Sequence, residues 1–141
     1  MKYFLIIFFS SLLFAACSSS KVATMDPVHY DACTQQTDLT SNDVFTGETV
    51  DNVVLNQQIG LVLLTMDVRT YCNSSLNTEM KLNENQITLM LSNTNTSTDN
   101  CVCIKKASTS FKDLTPGDYN LRVTDKTGHQ LLAQESITIP K

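Results

Sequence analysis

Hydrophobic residues follow two regimes along this chain. Through residues 4–14 they run together, broken only by Ser10 and Ser11, whereas from Val53 onward they alternate with polar residues. Alternation with period two sends successive side chains to opposite faces of a half-buried strand. Val62, Leu64, Met66 and Val68 share one face, in phase through to Cys72. The other face is apolar at Ile59, Leu61 and Leu63, then polar at Thr65, Asp67 and Arg69. This predicts a strand that enters from the buried centre of a sheet and leaves at its rim. Asn73-Ser74-Ser75 turns the chain. Leu76, Thr78, Met80 and Leu82 then alternate with Asn77, Glu79, Lys81 and Asn83, Asn83-Glu84-Asn85 turns again, and Ile87, Leu89 and Leu91 carry the next strand. Residues 92–100 form a polar loop without Gly or Pro, followed by two short strands at 101–104 and 108–111.

Leu114-Thr115-Pro116-Gly117-Asp118 holds the Pro-Gly pair of a type II turn, in which Gly supplies the positive φ. Tyr119, Leu121 and Val123 carry a strand, and Asp125-Lys126-Thr127-Gly128 predicts a hairpin loop closed by a left-handed Gly. In the last strand Leu131, Ala133, Ile137 and Ile139 share a phase that Glu135 interrupts, which predicts a bulge or a sheet edge. The segment 29–49 is polar and weakly patterned, read as loop with a short strand or turn held by Cys33. No stretch shows helical periodicity. About seven short strands with turns every 8–12 residues predict an all-β fold, an antiparallel sandwich of the Ig-like or transthyretin-like kind.

The apolar run at the start is an address. Met1-Lys2-Tyr3 supplies a basic start, residues 4–14 a short apolar core, and Ala15-Ala16 the small residues of a secretory signal. A membrane-spanning helix needs about 18–20 apolar residues, and Ser18-Ser19-Ser20 ends the run too early. Leu13-Phe14-Ala15-Ala16-Cys17 resembles a bacterial lipobox, with Phe14 where Leu is commonest. That resemblance implies cleavage before Cys17 and lipidation of its thiol, with anchoring by acyl chains worth about 0.8 kcal/mol per buried methylene. Ser18 after Cys17 resembles lipoproteins sent to the outer membrane, and Ser18-Ser19-Ser20-Lys21 lacks the acidic residues of many surface-displayed Bacteroidota lipoproteins. The expected location is therefore the outer membrane, with the periplasmic face preferred to the cell surface. The expected organisation is a lipoprotein signal peptide at 1–16, the lipidated Cys and a tether at 17–27, and the sandwich domain at 28–141.

Composition then changes its meaning. The whole chain has 141 residues, a formal net charge of −4 and 42% hydrophobic residues. Without the leader, a polar chain of 125 residues with charge −5 remains, enough for one domain with its own core. An acidic pI near 4.9 excludes a phosphate-driven nucleic-acid binder. The absence of Trp and an aromatic content of 7% exclude a stacking platform for bases.

Four cysteines remain after Cys17: Cys33, Cys72, Cys101 and Cys103. An even number in an exported chain predicts two disulfides. In an extended Cys101-Val102-Cys103 the two sulfurs share a face about 6.5–7 Å apart at the Cα atoms, at the limit for bridging. Cys101 and Cys103 therefore pair with Cys33 and Cys72, in either order. The competing chemistry is a Cu(I) or Zn(II) site built on Cys101 and Cys103, with His29, His129 or Met66 as further ligands.

Residues 111–128, with Leu114-Thr115-Pro116-Gly117-Asp118-Tyr119, the alternation after it and Asp125-Lys126-Thr127-Gly128, resemble a pattern of Ig-like and transthyretin-like domains in exported Bacteroidota proteins. With Cys101-Val102-Cys103 upstream, the chain is similar to small lipoproteins ending in an Ig-like sandwich, such as the NigD-like group. The resemblance implies a fold and carries no ligand or site residue. Gly-x-Ser-x-Gly, His-Glu-x-x-His and phosphate-loop motifs are missing, and the carboxylates are scattered. Asn73-Ser74-Ser75 and Asn95-Thr96-Ser97 fit glycosylation sequons, which the bacterial lipobox makes irrelevant. The expected function is a non-catalytic binding or accessory module, without cofactor, serving a protein partner in the cell envelope. Loop 92–100 is its candidate surface, with Asn93, Asn95, Thr96 and Asp99 as contact residues. The alternatives are a protease inhibitor using the same loop and the copper or zinc protein above.

Overall fold

A strand with one apolar face folds by laying that face against another, and here two sheets do so. The computed structural model describes residues 22–40, 43, 45–58, 60–94 and 100–141. The strands are β1 (Thr24–Met25), β2 (His29–Tyr30), β3 (Thr34–Asp38), β4 (Thr49–Gln58), β5 (Leu61–Tyr71), β6 (Leu76–Asn83), β7 (Gln86–Asn93), β8 (Cys101–Lys112), β9 (Gly117–Asp125) and β10 (Leu131–Ile139). The described residues contain no helix. One sheet runs β4–β5–β8, with β1, β2 and β3 in succession along the far edge of β8. The other runs β6–β7–β9–β10. The result is the all-β, two-sheet, disulfide-stabilised sandwich that the alternation predicts.

The core forms from the phases read in the sequence. Val62, Leu64, Met66 and Val68 of β5, with Ala107 and Phe111 of β8, face Ile87, Leu89 and Leu91 of β7 and Leu121 and Val123 of β9. Each side chain of this size, fully removed from water, contributes on the order of 1.5–3 kcal/mol. Tyr119 closes the N-terminal end of β9: its hydroxyl donates to the Thr115 carbonyl at 3.1 Å and lies 2.8 Å from Thr115 Oγ1. A Tyr bonded back to upstream backbone at a strand corner is a device of Ig-type sandwiches.

Several expectations are corrected. Among the described residues there are ten strands and not about seven, because β1, β2 and β3 add to seven long ones. The two strands expected at 101–104 and 108–111 are one, β8, in register with β5 from Tyr71↔Val102 to Leu61↔Lys112. The sandwich is not wholly antiparallel, since β7 and β9 pair in parallel from Gln86↔Asn120 to Leu91↔Asp125. Both strands run toward the same end because the chain crosses back through β8, in the other sheet, between them. Gly117 has φ +153° and begins β9, so Pro116-Gly117 is not the type II turn expected. Thr24–Met25, expected in the tether, already pair with Lys112 and Phe111.

Other local readings hold. Gly128 is left-handed at φ +75° and its amide closes on the Asp125 carbonyl at 2.9 Å. β10 is a sheet edge with an irregularity between Leu131 and Ala133, and Glu135 sits opposite buried Leu121 on it. A charge in the inward phase of an edge strand discourages pairing with other chains.

Candidate functional site

The strand directions give the sandwich two unlike ends. β8, twelve residues long, extends about 36 Å. At its Lys112 end lie β1, the β4–β5 hairpin, the start of β9 and the C-terminus. An open groove there, with a volume of about 620 Å³, is lined by Leu61, Val62, Phe111, Leu114 and Ile139 among others. At its Cys101 end lie the approach to β4, the β5–β6 turn, the end of β7 and the β9–β10 hairpin.

All four pairing cysteines gather at this second end. Cys33 bonds Cys103 and Cys72 bonds Cys101, with Cα separations of 5.6 and 5.5 Å. Of the two orders left open by the sequence, this one follows from the sheet. Cys72 extends β5 one residue past Tyr71↔Val102 and so faces Cys101, whose carbonyl accepts the Cys72 amide at 3.0 Å. Cys33 approaches from the opposite edge of β8, next to Thr34↔Ile104. Cys103 is 1% exposed and the other three are half-buried.

A polar network braces the same end. Thr70 is fully buried, its hydroxyl 2.8 Å from Ser74 Oγ and 3.4 Å from Glu48 Oε1. Glu48 Oε1 also accepts Asn93 Nδ2 at 3.1 Å, which joins the first sheet to the second. Ser74 Oγ donates to the Tyr71 carbonyl at 2.7 Å, and Lys105 Nζ donates to the Ser74 carbonyl at 2.5 Å. The Thr94 amide and hydroxyl both bond the Ser75 carbonyl, at 2.9 and 3.1 Å, fixing the first residue beyond β7. Phe45 meets Tyr71 edge-on with ring centres 4.8 Å apart. Two turns at this end are tied by carboxylates held below their usual range: Asp43 by the Thr40 amide and hydroxyl, and Asp125 by the Thr127 hydroxyl and then the Gln130 amide.

The predicted site residues divide accordingly. Asn93 is the last residue of β7, opposite Leu76, and its side-chain amide serves the Glu48 bond. Asn95, Thr96 and Asp99 lie outside the described residues, as do Cys17 and the signal segment 1–16. Cys101 and Cys103 are joined by Cys33 and Cys72. They are not joined by Met66, which pairs with Ala107, nor by His29, which pairs with Ser108. Four and five residues of strand separate these from Cys103, roughly 13 and 16 Å. His129 sits exposed in the β9–β10 hairpin. The sequence reading missed Glu48, Thr70 and Lys105. Thr70 was visible as a polar residue in the inward phase of β5, where a buried hydroxyl demands partners.

Compared with protein families, curated proteins and solved structures, the chain matches none of them.

Proposed function

We propose that this chain is an exported, lipid-anchored and non-catalytic binding module that presents its disulfide-braced end to a protein partner of the cell envelope. The observation that carries this reading is the opposition of the two ends. The polypeptide enters the sandwich through β1, at the Lys112 end, and the disulfides and the base of loop 92–100 lie at the other. Six residues lie between Cys17 and Thr24, and the seven steps from one to the other span at most about 25 Å. A chain fixed to a membrane at Cys17 therefore turns its groove end toward the bilayer and its braced end away, roughly 36 Å further out. Binding residues on loops are positioned by a rigid scaffold beneath them. Here the base is two disulfides and a hydrogen-bonded network spanning both sheets. Anchoring at the outer membrane and kinship with NigD-like lipoproteins belong to this proposal, supported by Leu13-Phe14-Ala15-Ala16-Cys17 and by the residue pattern of 111–128.

Two measurements test it. Labelling of cells with a palmitate analogue is expected to mark the wild-type chain and not Cys17→Ala; an unlabelled wild type overturns the anchor. A photo-crosslinking residue at Thr94 or Lys126 is expected to capture the same envelope protein, while one at Gln57 or Leu114 captures none. Capture from the groove end alone refutes the assignment of the binding end, and capture unchanged by deletion of 94–98 removes that loop from it.

A further inference from the structure

The groove at the Lys112 end continues the core to the surface. Its floor is Val62 and Phe111, 3% and 1% exposed, which belong to the central cluster between the sheets. Half-buried Leu114 and Ile139 form its walls and pack on the same cluster. The polar side chains of its lining, Gln57, Gln58 and Lys141, are all exposed ones at the rim. A groove of about 620 Å³ built in this way suits a ligand that is apolar along its length and polar at one end.

The strand ladder places the incoming chain beside this groove. Thr24 pairs with Lys112 and Lys112 with Leu61; Met25 pairs with Phe111 and Phe111 with Val62. At about 4.8 Å per strand, Leu61 and Val62 lie roughly 10 Å from β1. Cys17 is at most about 25 Å from Thr24, so a lipid bonded to its sulfur reaches the groove.

We propose that the groove holds one acyl chain of the lipid on this protein's own Cys17, an inference that rests on the lipid anchor proposed above. An acyl chain asks the groove walls for no hydrogen bond. Its ester or amide carbonyl accepts hydrogen bonds, and the side-chain amides of Gln57 and Gln58 at the rim are donors for it. The short tether makes the binding intramolecular, with an effective concentration in the millimolar range, which a sparingly soluble free ligand does not reach. Moving the chain from bilayer to groove exchanges one apolar surrounding for another, since lipid tails are as apolar as Leu. The walls gain besides, because filling the groove removes Leu114 and Ile139 from water. The filled groove clamps the Lys112 end onto the membrane, so that the braced end is held outward by more than the length of a tether.

The test uses full-length lipoprotein from cells fed a diazirine fatty acid. It is purified and placed in nanodiscs of unlabelled phosphatidylcholine, so that the anchor carries the only photoreactive group. Irradiation is expected to give adducts within one chain that mass spectrometry maps to Leu61, Val62, Phe111, Leu114 or Ile139. Leu114→Trp, which fills the groove, should lower these adducts at least tenfold with amide protection of β5 and β8 unchanged. Leu61→Trp takes its place if that protection is lost. Adducts restricted to disc lipid or to residues 18–25 overturn the groove assignment and leave the anchor standing, as do groove adducts undiminished in a folded Trp variant. In the reverse arrangement, unlabelled protein in discs of diazirine phosphatidylcholine, the groove peptides should stay unmarked. Marking there identifies a bilayer phospholipid as the occupant and overturns the assignment to Cys17. A wild-type chain that takes up no diazirine fatty acid refutes the anchor itself, and this inference with it.

Discussion

Single residues determine where the domain begins. Asp26 fastens the chain to β8 just after β1: its amide donates to the Ser110 carbonyl at 2.9 Å, its own carbonyl accepts Thr109 Oγ1 at 2.7 Å, and its carboxylate takes Lys112 Nζ at 2.7 Å together with the Ser110 hydroxyl. Lys112 and then Ser110 hold this carboxyl below its usual value of 3.8. A depressed carboxylate pKa means that the unfolded chain takes up its proton first as pH falls. The contribution of Asp26 is therefore complete above about pH 4 and disappears as pH drops through the lower folded value. Protection of the Asp26 amide against exchange, corrected for the intrinsic rate, should stay constant from pH 7 to 5 and fall below pH 4. Asp26→Asn should abolish that acid-dependent step, and a step that survives in the variant would assign it to another group.

At the scale of elements, the covalent links are unequal. Cys33–Cys103 closes a loop of 70 residues and Cys72–Cys101 one of 29. Loop-closure entropy gives about 4.4 and 3.6 kcal/mol for the two in the unfolded chain. Replacing Cys33 and Cys103 together by Ser should thus lower the urea midpoint more than replacing Cys72 and Cys101, with similar m-values. The reverse order would show that native-state packing around Cys72 outweighs chain entropy. That both residues of Cys101-Val102-Cys103 bridge elsewhere was legible in the sequence, because an extended strand puts the short link at the limit of disulfide geometry. Their choice between Cys33 and Cys72 was not, because it depends on which strands flank β8. The strands from β5 onward were legible where burial imposes alternation. β3 was not, since every one of its residues is exposed and nothing selects their polarity. Lys105-Lys106 made β8 look like two strands. Lys105 lies in the inward phase and reaches the Ser74 carbonyl at the end of the sandwich, while Lys106 faces outward opposite Asp67. The parallel pairing of β7 and β9 left no trace in the sequence, because period-two patterns record faces and not neighbours. The braced end was legible in its cysteines and in its hairpin Gly128, and hidden in Glu48, whose role is set by Asn93 in the other sheet.

For the whole molecule, both disulfides brace the same side. Cys33, Cys72, Cys101 and Cys103 all belong to β5, β8 or the edge beside β8, and neither bond reaches the sheet of β6, β7, β9 and β10. That second sheet is attached through the shared core, the Glu48–Asn93 bond and the contact of the Tyr30 hydroxyl with Thr78 Oγ1. Burial in Tyr30 raises its phenol pKa above 10.0, so the contact remains that of a neutral hydroxyl through physiological pH. Within the second sheet the two edge strands are the weak members: β10 is irregular at Leu131/Ala133 with Ile137 its one buried residue, and β6 has none. Opening of native proteins proceeds through units with few buried contacts before the global transition. Amides of β10 should accordingly exchange by a sub-global opening well below the global free energy, while the β5–β8 ladder exchanges only on complete unfolding. Reduction of both disulfides should narrow that gap by lowering the β5–β8 value and leaving the β10 value nearly unchanged. If β10 instead exchanges together with β5 and β8 before and after reduction, the two sheets form a single cooperative unit. The disulfides would then stabilise the sandwich as a whole and not one side of it.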